Sequence, residues 1–281
     1  MVLQAWRRRR WHPDPAALAA YAGLRPMVLV TGGSEGIGYA LACQFAAAGN
    51  AVMLIARRRE PLERAAAAIR AEFKIEAVPL DVDVTAADAI GRIDRALAEH
   101  GAYADVLVNS AGVGLAGLFY AQDPEAMMRL IDLNVRALTA LTRHYVGGMR
   151  IRGRGGVLNV ASLAGFTPGP YQAVYYASKA YVISLTEAIA AETAGEGIRV
   201  CALAPGPVRT LWHDRAGAGS AFYRYLLPAS AASVARDGYR GYRLGLRVVV
   251  PGLLGPIFAL FLRVLPHRIT MPVVQWLLKP R

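Results

Sequence analysis

Hydrophobic residues along the chain fall into two alternating rhythms. Short apolar runs without polar interruption occupy Met27–Val30, Ala51–Ile55, Ala77–Leu80, Val106–Val108, Val157–Ala161, Val200–Leu203 and Val248–Val250. Runs of this kind predict strands of a parallel sheet covered on both faces. Longer stretches of helical character separate them. One covers residues 39–48, and another, Pro61–Phe73, is rich in alanine. Asp123-Pro124-Glu125 opens a long helix, expected to reach Met149, with an N-cap aspartate and a proline in the first turn. A further helix runs from Tyr175 to Thr193 and stops before Gly195 and Gly197. The alternation predicts an α/β chain built as a doubly wound parallel sheet, with its ligand at the carboxyl ends of the strands.

Chemistry collects at two places in this frame. The first strand runs into Thr31-Gly32-Gly33-Ser34-Glu35-Gly36-Ile37-Gly38 and then a helix. A glycine-rich turn there lets backbone N–H groups approach a pyrophosphate at the helix N-terminus, although an ordinary strand-to-helix connection reads the same way. The second place is Tyr175-Tyr176-Ala177-Ser178-Lys179. On a helix, Tyr175 and Lys179 share one face. The ammonium is expected to stabilise a phenolate and to lower the tyrosine pKa from its usual value of about 10. A phenol tuned in this way exchanges a proton with a substrate oxygen near neutral pH. Ser162, thirteen residues upstream, supplies a hydroxyl for the same oxygen.

Taken together, these motifs resemble the classical short-chain dehydrogenase/reductase family over roughly residues 27–250. The resemblance implies a Rossmann fold of about seven strands and a nicotinamide cofactor. It implies a catalytic set of Asn134, Ser162, Tyr175 and Lys179, with Asn134 holding a water near the lysine. For the cofactor it implies Thr31, Gly32, Ser34, Gly36, Ile37 and Gly38 at the pyrophosphate, and Asp81 and Val82 at the adenine. Asn109, Ala111 and Gly112 belong to a turn that departs from the family pattern at Ser110. Pro205, Gly206 and Val208 fall in the loop that contacts the nicotinamide, with Tyr175 and Lys179 also touching the cofactor. The helices from Pro124 and from Tyr175 match those through which relatives pair, so a homodimer or homotetramer is expected. A weaker resemblance links the chain to 3-ketodihydrosphingosine reductases and acyl-chain ketoreductases.

The end of the second strand bears on the choice of cofactor. NAD enzymes usually place an acid there for the ribose hydroxyls. This chain has Ala56-Arg57-Arg58-Arg59, with no acid before Glu60. A guanidinium fork suits a 2′-phosphate, so Arg57 is expected to bind it and NADP(H) is favoured over NAD(H). Glu35 argues the other way, because an acid in the glycine turn would repel that phosphate.

Composition adds detail at the two ends. The chain has 281 residues, 55% of them hydrophobic, which fits one α/β domain with a large core. Two cysteines and five scattered histidines give no disulfide framework and no metal-ligand spacing. Buried thiols point to a reducing, cytoplasmic setting. The net charge of +12 is uneven: residues 1–26 carry +4 and 206–281 carry +9, whereas 27–205 carry −1. We therefore divide the chain into a basic, aromatic extension (1–26), the nucleotide-binding domain (27–250) and an apolar, basic tail (251–281).

Trp6 and Trp11 flank an arginine block, and the tail mixes Trp276 with long aliphatic runs. Both ends are expected to rest peripherally on the cytoplasmic face of a phospholipid membrane. A flexible tail free of lipid fits the first end as well. A subunit contact or extra core packing fits the second. Aliphatic runs beside the bases disfavour nucleic acid. Between the two ends, a lid at about 207–232 carries Trp212, Phe222 and Tyr223 around a small-residue hinge. An aromatic lid predicts a hydrophobic, lipid-like substrate. The activity expected is interconversion of a ketone and a secondary alcohol. The competing reading is a non-catalytic NADP-binding sensor or scaffold at a membrane surface.

Overall fold

A computed structural model describes residues 15–209 and 228–279. A short helix α1 (Pro15–Ala19) precedes β1 (Arg25–Thr31), α2 (Gly36–Ala47), β2 (Ala51–Ala56), α3 (Arg59–Phe73), β3 (Ala77–Asp81), α4 (Ala89–Glu99) and β4 (Ala102–Asn109). Then come α5 (Pro124–Ile131), a π-helical segment (Asp132–Ala137), α6 (Leu138–Arg152), β5 (Gly155–Val160), α7 (Ala173–Glu192) and β6 (Ile198–Leu203). The chain closes with β7 (Val208–Arg209), β8 (Ala229–Ser230), α8 (Ala231–Arg243), β9 (Val248–Val249), α9 (Gly255–Val264) and α10 (His267–Leu278).

Seven strands form one sheet in the order β3-β2-β1-β4-β5-β6-β9. Every pairing in it is parallel. One apolar layer sets Val30, Leu54 and Val108 against α2, α3 and α8. The other sets Leu29, Ile55 and Leu107 against α4 and α6. Strand order reverses between β1 and β4, where Thr31 stands beside Asn109 at the carboxyl ends. A doubly wound sheet opens its ligand crevice at such a point.

The seven expected strands all form, and the differences have local causes. Strand β4 begins four residues before the apolar run that announces it, because Tyr103 and Asp105 interrupt the pattern. Asp105 is buried, and the Arg154 guanidinium grips it at 3.0 and 3.1 Å, so the sheet accommodates an acid there. The long helix expected from Pro124 to Met149 is divided by the π-helical segment, which carries Asn134. Single-turn π segments inside α-helices frequently mark functional sites. Asp123 caps α5 as expected, accepting from the N–H groups of Glu125 and Ala126 at 3.0 and 3.2 Å.

After β9 the chain folds back as two helices. Pro256 sits in the first turn of α9, and Arg263 near its end pairs with Glu187 of α7 at 2.7 Å. Val274 and Leu278 of α10 pack against Ala164 and Tyr176. Among the described residues, no helix is long and apolar enough to cross a membrane.

Candidate active site

The crevice between β1 and β4 opens into a cleft of about 690 Å³, within the usual range for small-molecule sites. Gly32, Ser34, Gly36, Ile37 and Gly38 line one side of it. Two of these glycines are required by sterics. Gly32 adopts φ +67°, and a Cβ there would stand 2.9 Å from the Ala111 nitrogen. A Cβ on Gly38 would collide with the Gly32 carbonyl oxygen. The turn is thereby pressed against the β4 end, and the N–H of Gly32 donates to the Ile55 carbonyl at 2.8 Å, which leaves the start of α2 as the cradle suited to a pyrophosphate.

Thr31 is buried and faces inward. Its Oγ1 accepts from the N–H groups of Ser110 and Ala111, both at 3.1 Å, so it ties the two turns together. Asn109 also turns into the protein rather than into the cleft. Its Nδ2 donates to Thr142 Oγ1 at 3.0 Å and to Asn159 Oδ1 at 2.9 Å. Asn159 in turn donates to Thr186 Oγ1 at 3.0 Å. Residues at strand ends alternate between faces, and neither Thr31 nor Asn109 lines the cleft. Ser110, Ala111 and Gly112 line the cleft.

Ser162 follows β5, where its hydroxyl accepts from the Ala164 N–H at 3.2 Å and reaches the Pro205 carbonyl at 3.4 Å. Tyr175 lies in the first turns of α7. Burial pushes its phenol up to about 12, and a hydrogen bond with the Ser162 hydroxyl opposes the rise. Lys179, one turn further on, is buried and held down to about 8 by the same loss of water. Its Nζ donates to the Val160 carbonyl at 2.9 Å and lies 5.8 Å from the centre of the Tyr175 ring. The expected lowering of the phenol by lysine is therefore outweighed in the protein alone. Desolvation dominates, and the lysine proton is directed at a strand carbonyl.

Asn134 is buried in the π-helical segment. Its Oδ1 accepts from Val113 N at 3.0 Å, while its Nδ2 donates to Val113 O at 2.9 Å and to Ser178 Oγ at 3.2 Å. Its amide is committed to holding the chain after Gly112. At Gly112, a Cβ would meet Asn134 Oδ1 at 3.3 Å and Lys179 Nζ at 3.5 Å. Gly112 and Lys179 line the cleft, and Asn134 stands behind them without lining it.

Pro205, Gly206 and Val208 also line the cleft, whereas Arg57, Asp81 and Val82 do not. Val82 is buried in the second core layer. Arg57 is exposed and lies 3.9 Å from Asp83. Arg58 pairs with Glu35 at 2.9 Å, which offsets the charge of the acid in the glycine turn. Gln172, Tyr176 and Leu278 line the cleft without having been singled out in the sequence. Tyr176 is the neighbour of Tyr175, but nothing local marks Leu278, which arrives from the far end of the chain. Trp212, Phe222 and Tyr223 lie outside the described residues.

Residues 26–219 match the short chain dehydrogenase family. The chain belongs to that family. Among its relatives is a short chain dehydrogenase of Pseudocercospora fijiensis, 38% identical over 184 residues, a match covering 65% of this chain and 59% of the relative. A very-long-chain 3-oxoacyl-CoA reductase of Bos taurus is 32% identical over 197 residues, covering 67% of this chain and 62% of the relative. The match thus spans about three-fifths of the length of each. Among solved structures, a short-chain dehydrogenase from Sphingobium yanoikuyae in complex with NADPH superposes with a TM-score of 0.75 at 32% identity, covering 81% of this chain and 88% of that one.

Proposed function

We propose that this chain is an NADP(H)-dependent oxidoreductase that interconverts a ketone and a secondary alcohol on a hydrophobic, lipid-like substrate. One observation carries the reading: the hydrogen-bonded pair Ser162 and Tyr175 faces the same cleft as the glycine turn and Lys179. A bound nicotinamide would supply the hydride. Gly32 to Gly38 would hold the pyrophosphate, and Arg57 a 2′-phosphate, with Arg58 neutralising Glu35 beside it. A relative named as a very-long-chain 3-oxoacyl-CoA reductase and a similar structure in complex with NADPH support the same choice.

Within the chain, Ser162 fixes a carbonyl oxygen by its hydroxyl and Tyr175 gives that oxygen its proton. A phenol held near 12 keeps its proton at neutral pH, the state that ketone reduction requires. Lys179, charged below about 8, supports the phenolate left after proton transfer. Asn134 positions the Gly112 corner against that lysine.

Two associations complete the proposal. Leu253 before α9, Leu260, Phe261 and Val264 of α9 and Trp276 of α10 are exposed, with Arg263 and Arg268 alongside. This combination suits peripheral contact with an anionic membrane. Met128 of α5 and Tyr181 of α7 are exposed and suit a homo-oligomer contact. The test is cofactor oxidation against ketones sorted by chain length, with NADPH and NADH in parallel. Reduction of hydrophobic ketones with NADPH is expected; no turnover of any ketone with either cofactor would overturn the proposal.

A further inference from the structure

A second cavity, of about 190 Å³, adjoins the catalytic cleft. Its described lining carries no charged side chain and is supplied mostly by α9 and α10, with Thr167 and Thr270 contributing hydroxyl-bearing side chains. Leu163, Ala164, Tyr176 and Leu278 line both cavities. Two of these four are the immediate chain neighbours of Ser162 and Tyr175. The wall between the cavities is therefore contiguous in the chain with both groups, and the end of α10 contributes Leu278 to it.

We infer that this chamber receives the unbranched hydrocarbon tail of the substrate whose carbonyl sits between Ser162 and Tyr175. The inference rests on the ketone-reducing reading above and adds the shape of the substrate to it. Three observations select a chain over other occupants. The chamber has no charged wall to meet a phosphate or carboxylate. It shares a wall with the cleft, formed by four residues that line both. Its volume equals the liquid share of roughly six water molecules at ~30 Å³ each, enough for a short run of methylenes.

The match to the family ends at residue 219, so α9 and α10 lie beyond it. The chamber's outer wall is thus built from a segment outside the family match. Phe258, Phe261, Ile269 and Val273 line it while remaining exposed on the outer surface, so the same two helices present apolar groups inward and outward.

The test compares kcat/KM for 2-dodecanone and 2-butanone with NADPH in the wild-type protein, Leu277→Trp and Val273→Trp. Each methylene taken up by an apolar wall contributes up to about fourfold. The wild type is expected to favour the longer ketone by at least tenfold, and filling the chamber with either tryptophan to reduce that ratio at least tenfold. Val273 is exposed, so its variant folds even where Leu277→Trp disturbs packing. An unchanged ratio in both folded variants would overturn the inference while leaving the ketone-reducing reading intact. If neither ketone turns over, that reading fails first. Calorimetric binding of 2-dodecanone then decides the chamber alone: binding weakened at least tenfold by Val273→Trp supports it, and binding absent from the wild type or unaffected by the substitution overturns it.

Discussion

Lys179 and Tyr175 share one face of α7, yet the lysine Nζ donates to the Val160 carbonyl at 2.9 Å and lies 5.8 Å from the centre of the tyrosine ring. Both groups are shifted by lost hydration, in opposite electrical senses: the phenol upward and the ammonium downward. The pair is thus set to keep a proton on the tyrosine and a charge of limited persistence on the lysine.

That arrangement sets a pH limit. In the folded protein, Lys179 is charged below about 8 and loses its charge as pH rises through that value. Ketone reduction by NADPH is expected to hold steady between pH 6 and 7.5 and then to decline, with a midpoint near 8. A kcat profile measured against pH checks this, and Lys179→Arg, which keeps its charge, should remove the step from any residual activity.

The same burial makes Lys179 a destabilising residue. Its folded pKa is depressed below the ordinary 10.5, so the penalty is complete below about 8 and is relieved as pH rises to 10.5. Lys179→Met should raise the midpoint of denaturant unfolding at pH 7, by on the order of 1–3 kcal/mol after the lost bond to Val160 is counted. The advantage should shrink between pH 8 and 10.5.

Cofactor choice turns on the two arginines after β2. Arg57→Ala is expected to weaken NADPH binding by roughly tenfold to a hundredfold, the range for a charge-assisted hydrogen bond, and to leave NADH binding nearly unchanged. Arg58→Ala should also weaken NADPH, by a smaller factor, because it exposes the charge of Glu35. Fluorescence titration with each nucleotide reads both effects.

The buried chain Asn109–Asn159–Thr186 supports the floor of the site. Replacing Asn109 with alanine leaves Thr142 and Asn159 without their donor, offset in part by removal of its own unpartnered Oδ1, and should cost about 1–2 kcal/mol in urea unfolding. Thr270 Oγ1 is likewise buried without a partner among the described residues. Thr270→Val keeps the shape and removes the orphaned hydroxyl, so its stability should equal or exceed that of the wild type.

Much of this architecture was legible in the sequence because a doubly covered parallel strand is written as an unbroken apolar run. Val28 to Val30 and Val52 to Ile55 carry no other message. Where a strand holds a paired acid, as at Asp105, the run is broken and the strand starts earlier than it reads. The π segment around Asn134 escapes notice because one extra residue in a helical turn leaves no compositional trace. The proposed catalytic set was read from its motifs, since Ser162, Tyr175 and Lys179 occupy fixed offsets, and the fold brings those three to one cleft. The inward turn of Thr31 and Asn109 depends on which face of the pleat is buried at the strand end. Leu278 could not have been found at all, because only tertiary folding brings residue 278 to the wall of a cleft begun at residue 32.

The account depends on Tyr175 as the proton donor, and one comparison tests it most directly: single-turnover oxidation of bound NADPH by a hydrophobic ketone in the wild type and in Tyr175→Phe. The expected result is loss of at least a thousandfold in rate, with NADPH still bound at close to its original affinity. Hydride transfer in the phenylalanine variant at a rate near that of the wild type would contradict the account.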